Sequence, residues 1–164
     1  VAVQAGGNVG VWAAKMAKRF KTVWTFEPDP DNYACLVKNV PDNVQHMRAG
    51  LGDRVANVGM TLFPDNCGAH YIDGPGDIEI ITLDGLSLPA CDYLCLDVEG
   101  YEPKALCGAK ETIARYRPVI QIEEKGLSER YSGIRKGEAE RWLEREFGYR
   151  VAKKVRTDVI LVPR

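Results

Sequence analysis

The sequence predicts an open α/β fold, a doubly wound and mostly parallel sheet with helices on both faces, and three observations carry that expectation. Residues 1–27 run strand, glycine turn, helix, strand, acid. Tyr93 to Leu96 is a short run of large residues that breaks into Asp97, Glu99 and Gly100, as a strand covered on both faces does where it leaves a sheet. Pro118 to Glu123 repeats that pattern and ends in Glu123 and Glu124. In open α/β sheets ligands sit beyond the carboxyl ends of the strands, so this series of acids faces one expected crevice.

Val1 to Ala5 reads as the first strand, apolar except for Gln4, and Gly6-Gly7-Asn8-Val9-Gly10 turns it into a helix with Asn8 as a suitable N-cap. Val9, Trp12, Ala13, Met16, Ala17 and Phe20 form the stripe expected to pack on the sheet, with Lys15, Lys18 and Arg19 opposite. Val23 to Phe26 is the second strand and Glu27 stands at its end. Glycines let a ligand approach the backbone, the following helix start favours negative charge, and an acid at the next strand end suits ribose hydroxyls: this is a nucleoside-binding arrangement. Asp29-Pro30 supplies an N-cap and an N1 proline for a short helix carrying Tyr33, Leu36 and Val37. Val44 to Ala49 is the third strand, followed by the turn Gly50-Leu51-Gly52-Asp53.

Val55 to Phe63 alternates as a β excursion, and 64–77 is a loop dense in Pro, Asp, Asn and Gly, of a length that usually serves function. Ile78 to Leu83 is strand-like, and Asp84-Gly85 turns the chain towards Tyr93. Past Gly100 one helix is expected from Glu102 to Arg115, with Leu106, Ala109, Ile113 and Tyr116 on its apolar side. After a polar connection, 125–136, the spacing of Ala139, Trp142, Leu143 and Phe147 marks an amphipathic helix that Gly148 terminates. Tyr149 to Val155 and Asp158 to Val162 form an antiparallel hairpin at a sheet edge.

At 164 residues, 45% hydrophobic, the chain fills one core, so 1–164 is expected to be a single domain that lacks elements in front of Val1. A formal net charge of -1 gives no electrostatic footprint for nucleic acid, and no window is apolar enough to span a bilayer. The expected partner is a small molecule. Five cysteines, an odd number with no C-x-x-C pair, favour free thiols and a cytoplasmic location. His46 and His70 show no ligand spacing, so no metal is expected.

Strand alternation places Asp97 and Glu99 on one side of the pleat, where they either serve the crevice or balance the dipole of the next helix. Asp53 either accepts from an adenine amino group or is a solvated turn residue, and His70 is either a proton acceptor on a closing loop or solvated.

These pieces together resemble the FkbM-type methyltransferases, in Gly6-Gly7-Asn8-Val9-Gly10, Thr25-Phe26-Glu27-Pro28, Ile81-Thr82-Leu83-Asp84 and Leu96-Asp97-Val98-Glu99-Gly100-Tyr101-Glu102. The resemblance implies a Rossmann-like class I methyltransferase fold of seven strands, the last antiparallel, with S-adenosyl-L-methionine over the first two strands and methyl transfer to a hydroxyl of a sugar or small metabolite. It assigns Gly6, Asn8 and Gly10 to the methionine part of the donor, Glu27 to the ribose hydroxyls and Asp53 to adenine, with Pro28 and Gly52 also counted among the donor-binding residues. Asp97 then lies nearest the methyl group, and Asp97, Glu99, Glu123 and His70 are the candidate bases. Gln4 stands where the family usually has an acid, and Cys95 where it usually has a lysine, a cation that would hold a substrate or balance Asp97. Two other readings are an NAD-dependent oxidoreductase, against which Asn8 replaces the second glycine of the dinucleotide fingerprint, and an inactive nucleoside-binding domain.

Overall fold

The computed structural model describes residues 1–63, 65–129 and 133–164. Its main sheet has seven strands, and the five that hold the centre and one edge are parallel. They are β1 (Ala2–Ala5), β2 (Val23–Phe26), β3 (Val44–Met47), β9 (Tyr93–Leu96) and β10 (Val119–Glu123). With β11 (Tyr149–Val155) and β12 (Asp158–Pro163) the spatial order is β11-β12-β10-β9-β1-β2-β3, and β12 runs antiparallel to both of its neighbours. The order reverses between β1 and β9, the switch point at which open sheets bind ligands. Short strands, β4 (Gly50–Leu51), β5 (Ala56–Val58), β6 (Met60–Thr61), β7 (Tyr71–Ile72) and β8 (Ile78–Ile81), form two small satellite sheets after β3.

Alternation along the strands divides the core. Val3, Ala5, Leu94, Leu96, Ile120, Ile122, Val159 and Leu161 face one side, in a cluster with residues of helices α3 (Glu102–Cys107), α4 (Lys110–Tyr116) and α5 (Glu138–Phe147). Ala2, Val23 and Val44 face the other side, against Ala13 of α1 (Val11–Ala17). Helix α2 (Pro30–Asn39) begins as its sequence dictates: the Asp29 carboxylate accepts from the amides of Asp31 and Asn32, and Pro30 sits in the first turn.

Four local expectations are corrected. Asn8 is not an N-cap; Gly10, at φ 90, precedes α1, and the Asn8 carboxamide instead accepts from Val9 N. Trp12, expected on the buried stripe, is 60% exposed, because the short helix lays only Ala13 flat against the sheet. The helix expected over 102–115 is broken into α3 and α4, since a Cβ at Gly108 would stand 1.9 Å from the Gly52 carbonyl oxygen and the backbone there makes the packing contact with the satellite layer. Asp84 secures the second half: its carboxylate accepts from the amides of Glu111 and Thr112 and from the Thr112 hydroxyl. Finally, no side chain caps α3: neither Asp97 nor Glu99 serves its first turn, and buried Glu102, its first residue, instead ties down the preceding turn, with Oε1 accepting from Val98 N at 3.0 Å and Gly100 N at 3.2 Å.

Burial lifts the Glu102 carboxyl to about 7, against the pull of those backbone amides. An acid raised in the folded state stabilises the fold fully below its unfolded pKa, and that contribution is lost as pH rises through the folded value. Glu102→Gln keeps the accepting oxygen and cannot ionise. Its stability relative to the parent should therefore rise between pH 5 and pH 8 by on the order of 1–3 kcal/mol in urea titrations, and a pH-independent difference would contradict the assignment.

Candidate active site

A cavity of about 350 Å³ opens beyond the carboxyl ends of β1, β2 and β9, within the range typical of small-ligand sites. Its floor is the glycine turn. Gly6 N and Gly7 N both donate to Phe26 O, at 3.0 and 2.9 Å, so the turn is pinned to the end of β2. Gly6 has φ +82, and a Cβ on it would stand 1.8 Å from the Asp97 carbonyl oxygen; one on Gly7 would come within 2.5 Å of Leu36. The backbone itself is the cavity surface there. Beneath it lies buried Gln4, whose Nε2 donates to Gly6 O while its Oε1 accepts from the Thr25 hydroxyl, each at 3.1 Å. An ionised acid in that place would offer no donor to Gly6 O, so the glutamine satisfies the turn in its own way.

Glu27 is buried at the end of β2, and it ties the turn to the start of α2. Asn8 N donates to Oε2 at 2.7 Å and Asp29 N to Oε1 at 3.0 Å, leaving each oxygen a further lone pair for a ligand in the cavity it lines. Burial raises the pKa of this carboxyl, opposed by the two amides. Pro28 lines the wall beside it. Over this end folds the chain around Cys67, whose carbonyl accepts from the side-chain amides of Asn8 and Asn32. His70 lines the same end with Nδ1 3.3 Å from the Asp29 carboxylate; it is not gathered with the other candidate bases.

Three residues given to the donor stand elsewhere. Gly10 packs on Leu36 and Val40 behind the turn, and Gly52 lies under Tyr101 and Ile80, its backbone meeting Gly108. Asp53 pairs with Arg54 at 3.5 Å, outside the cavity, whose wall at that point is Gly50 and Leu51 with Ile72 opposite. Leu51 and Ile72 offer an apolar slot.

At the opposite end Asp97, Glu99 and Glu123 converge, each offering a carboxylate oxygen within 4.8 Å of the others. Glu99 arrives there not by strand alternation but through a left-handed backbone at φ 51, after β9 has ended. Lys125 lies between, its Nζ 2.6 Å from Glu99 Oε1 and 2.7 Å from Glu123 Oε2. Asp97 is open to the cavity, yet the walls thin its solvation; this, then the hydrogen bond and charge of Glu123, hold its pKa well above the usual aspartate range, with Lys125 opposing. Cys95 sits below in β9, a neutral thiol whose pKa burial and the Asp97 charge push up to about 12. A cation does reach this end of the cavity, from the loop after β10, but it pairs with Glu99 and Glu123 and not with Asp97. Sequence reasoning passed over Lys125, although its place two residues after Glu123 is the same-side spacing of a strand end. It also buried Trp12, which forms a wall of this cavity and, with Asp97, of a second one on the α1 face of the sheet.

The sequence pattern of the methyltransferase FkbM domain matches residues 4–151. The chain belongs to the FkbM methyltransferase family. Among solved structures it is similar to the methyltransferase FkbM from Methylobacillus flagellatus KT, with 21% identity and a TM-score of 0.67 over 98% of this chain and 42% of that one. It therefore spans less than half the length of that relative. It is also similar to precorrin 8w decarboxylase of Methanobacterium thermoautotrophicum, with 14% identity and a TM-score of 0.56 over 98% of this chain and 78% of the other. At these identities the structural likenesses speak for the fold, the sheet order of the class I methyltransferases. No curated protein matches the sequence. Among the described residues no helix is long and apolar enough to cross a membrane.

The family's glycine turn makes a specific demand here. Gly6→Ala must move either the turn or the Asp97 carbonyl and must hold alanine at positive φ, so it should cost about 2–4 kcal/mol of stability and weaken any ligand seated on the turn. Urea denaturation of the variant checks this, and a loss below about 0.5 kcal/mol would show that the close approach is not needed.

Proposed function

We propose that this FkbM family member is an S-adenosylmethionine-dependent O-methyltransferase acting on a hydroxyl of a sugar or small metabolite. The observation that carries the reading is the joining of a Cβ-intolerant glycine turn to a buried glutamate that holds the turn by its amide and keeps lone pairs towards the cavity. The residues fit the donor. Gly6, Gly7 and Asn8 would hold its methionine part, Glu27 its ribose hydroxyls, and the slot at Leu51 and Ile72 its base, in place of Asp53. Bound there, the donor supplies a methyl group on a positively charged sulfur, a strong electrophile that needs no metal to react.

What the chain must add is alignment and a place for the proton, and alignment is the larger contribution. With the donor held there, the chain's own part would be to set the acceptor's hydroxyl oxygen in line with the methyl group, whose electron pair would leave with sulfur, and to take up the hydroxyl proton on a carboxylate. Asp97 is the carboxylate best placed for that transfer, since it reaches the cavity and its raised pKa makes it a better base than a free aspartate. Glu99 and Glu123 are held by Lys125, and His70 lies beside Asp29, away from this cluster. An NAD-dependent oxidoreductase is disfavoured by Asn8, whose side chain stands where a pyrophosphate needs glycine.

Titration calorimetry with S-adenosylhomocysteine and NAD in parallel tests the reading. The homocysteine product should bind and NAD should not, and Glu27→Ala should weaken the product about 10- to 100-fold, the value of hydrogen bonds to a charged acceptor. Binding of NAD without binding of the product would overturn the proposal.

A further inference from the structure

The loop after β10 places a cation where the sequence led us to expect none. Lys125 follows Glu123 by two residues, and Gly126 at φ 85 turns the chain away at once, so the lysine folds back over the strand end. Its ammonium spans Glu99 and Glu123, while Asp97, the third member of the cluster, has no ion pair with it at salt-bridge distance. We propose that Lys125 is a positioning residue for methyl transfer: by bridging Glu99 and Glu123 it holds those two carboxylates at the strand ends and leaves Asp97 as the carboxylate that meets the acceptor's hydroxyl. The role in transfer rests on the methyltransferase reading; the electrostatic arrangement does not.

Three carboxylates this close cannot all stay charged without a counter-ion, because like charges at such range disfavour one another's ionisation. Around Asp97 the charged and titratable groups are Glu99 in its own turn, Cys95 on its strand, Glu123 on β10 and Glu102 at the start of α3. Further out on the α1 face of the sheet are Asp158 on β12 and the lysines and arginine of α1 that line the second cavity. Among the described residues Lys125 is the cation that makes ion pairs with this cluster. Its own pKa is held above the usual lysine value: partial burial works against the charge, and the two carboxylates outweigh it. The lysine ties Glu99 and Glu123 together, and Asp97 joins them only through Glu123. The lysine's charge lowers the Asp97 pKa, so without it Asp97 would take up its proton at higher pH.

Carbon-detected NMR of side-chain carboxyls in the ligand-free chain reads this directly, with the Asp97 signal assigned by its loss in Asp97→Asn. In Lys125→Met the Asp97 midpoint should rise by about one pH unit, the effect of removing an opposite charge at this range, and in Lys125→Arg it should stay within about 0.3 units of the parent. Amide spectra that superimpose away from the loop would show that the variants are folded, as expected for a partly exposed loop lysine. An unmoved midpoint in Lys125→Met, or an equal rise in Lys125→Arg, would overturn the proposal. Failure of the parent to bind S-adenosylhomocysteine would overturn the donor reading instead, and the titration separates the two.

Discussion

The site depends on how closely the turn after β1 is pressed against the end of β9. The two strands are adjacent and parallel, with Ala5 opposite Leu96, and Asp97 N still donates to Ala5 O at 3.2 Å after β9 has ended. The chain then has to cross the Asp97 carbonyl to reach α1, and it does so at a residue with no Cβ and positive φ. One backbone contact therefore sets the separation between the turn that would hold a donor and the acid that would meet its methyl group. Gln4 below and Phe26 O beside it hold the turn from two further sides.

Charge is distributed around that contact with unusual asymmetry. On the β2 side Glu27 and Asp29 are satisfied by backbone amides, a scheme that keeps buried carboxylates in fixed orientation. On the β9–β10 side three carboxylates face one another, and among the described residues the Lys125 ammonium pairs with two of them. The first arrangement suits recognition of neutral hydroxyls by hydrogen bonding. The second suits proton exchange, because burial and the neighbouring carboxylates raise the Asp97 pKa well above that of a free aspartate.

Much of this was legible in the chain. The doubly wound sheet, its closing hairpin and the helix start at Asp29-Pro30 follow from residue patterns whose physics is local, and the motifs at Gly6, Glu27 and Asp97 fell at strand ends facing one cavity. What was not legible depended on contacts between distant segments. The break at Gly108 exists because of Gly52, more than fifty positions earlier, and the exposure of Trp12 reflects how little of α1 the sheet covers. Asp53 looked like a crevice acid by its position after a strand, but that strand belongs to the satellite sheet and its turn points elsewhere. Cys95 suggested a missing charge, and only the folded loop after β10 shows that Lys125 brings a cation to the same acids.

The most direct test of the central claim is a crystal structure of the chain with S-adenosylhomocysteine. Both ribose hydroxyls should lie within hydrogen-bonding distance of Glu27, the amino acid part should rest on Gly6 to Asn8, and the sulfur should face Asp97. A ligand seated on the α1-face cavity, or one whose ribose makes no contact with Glu27, would contradict it.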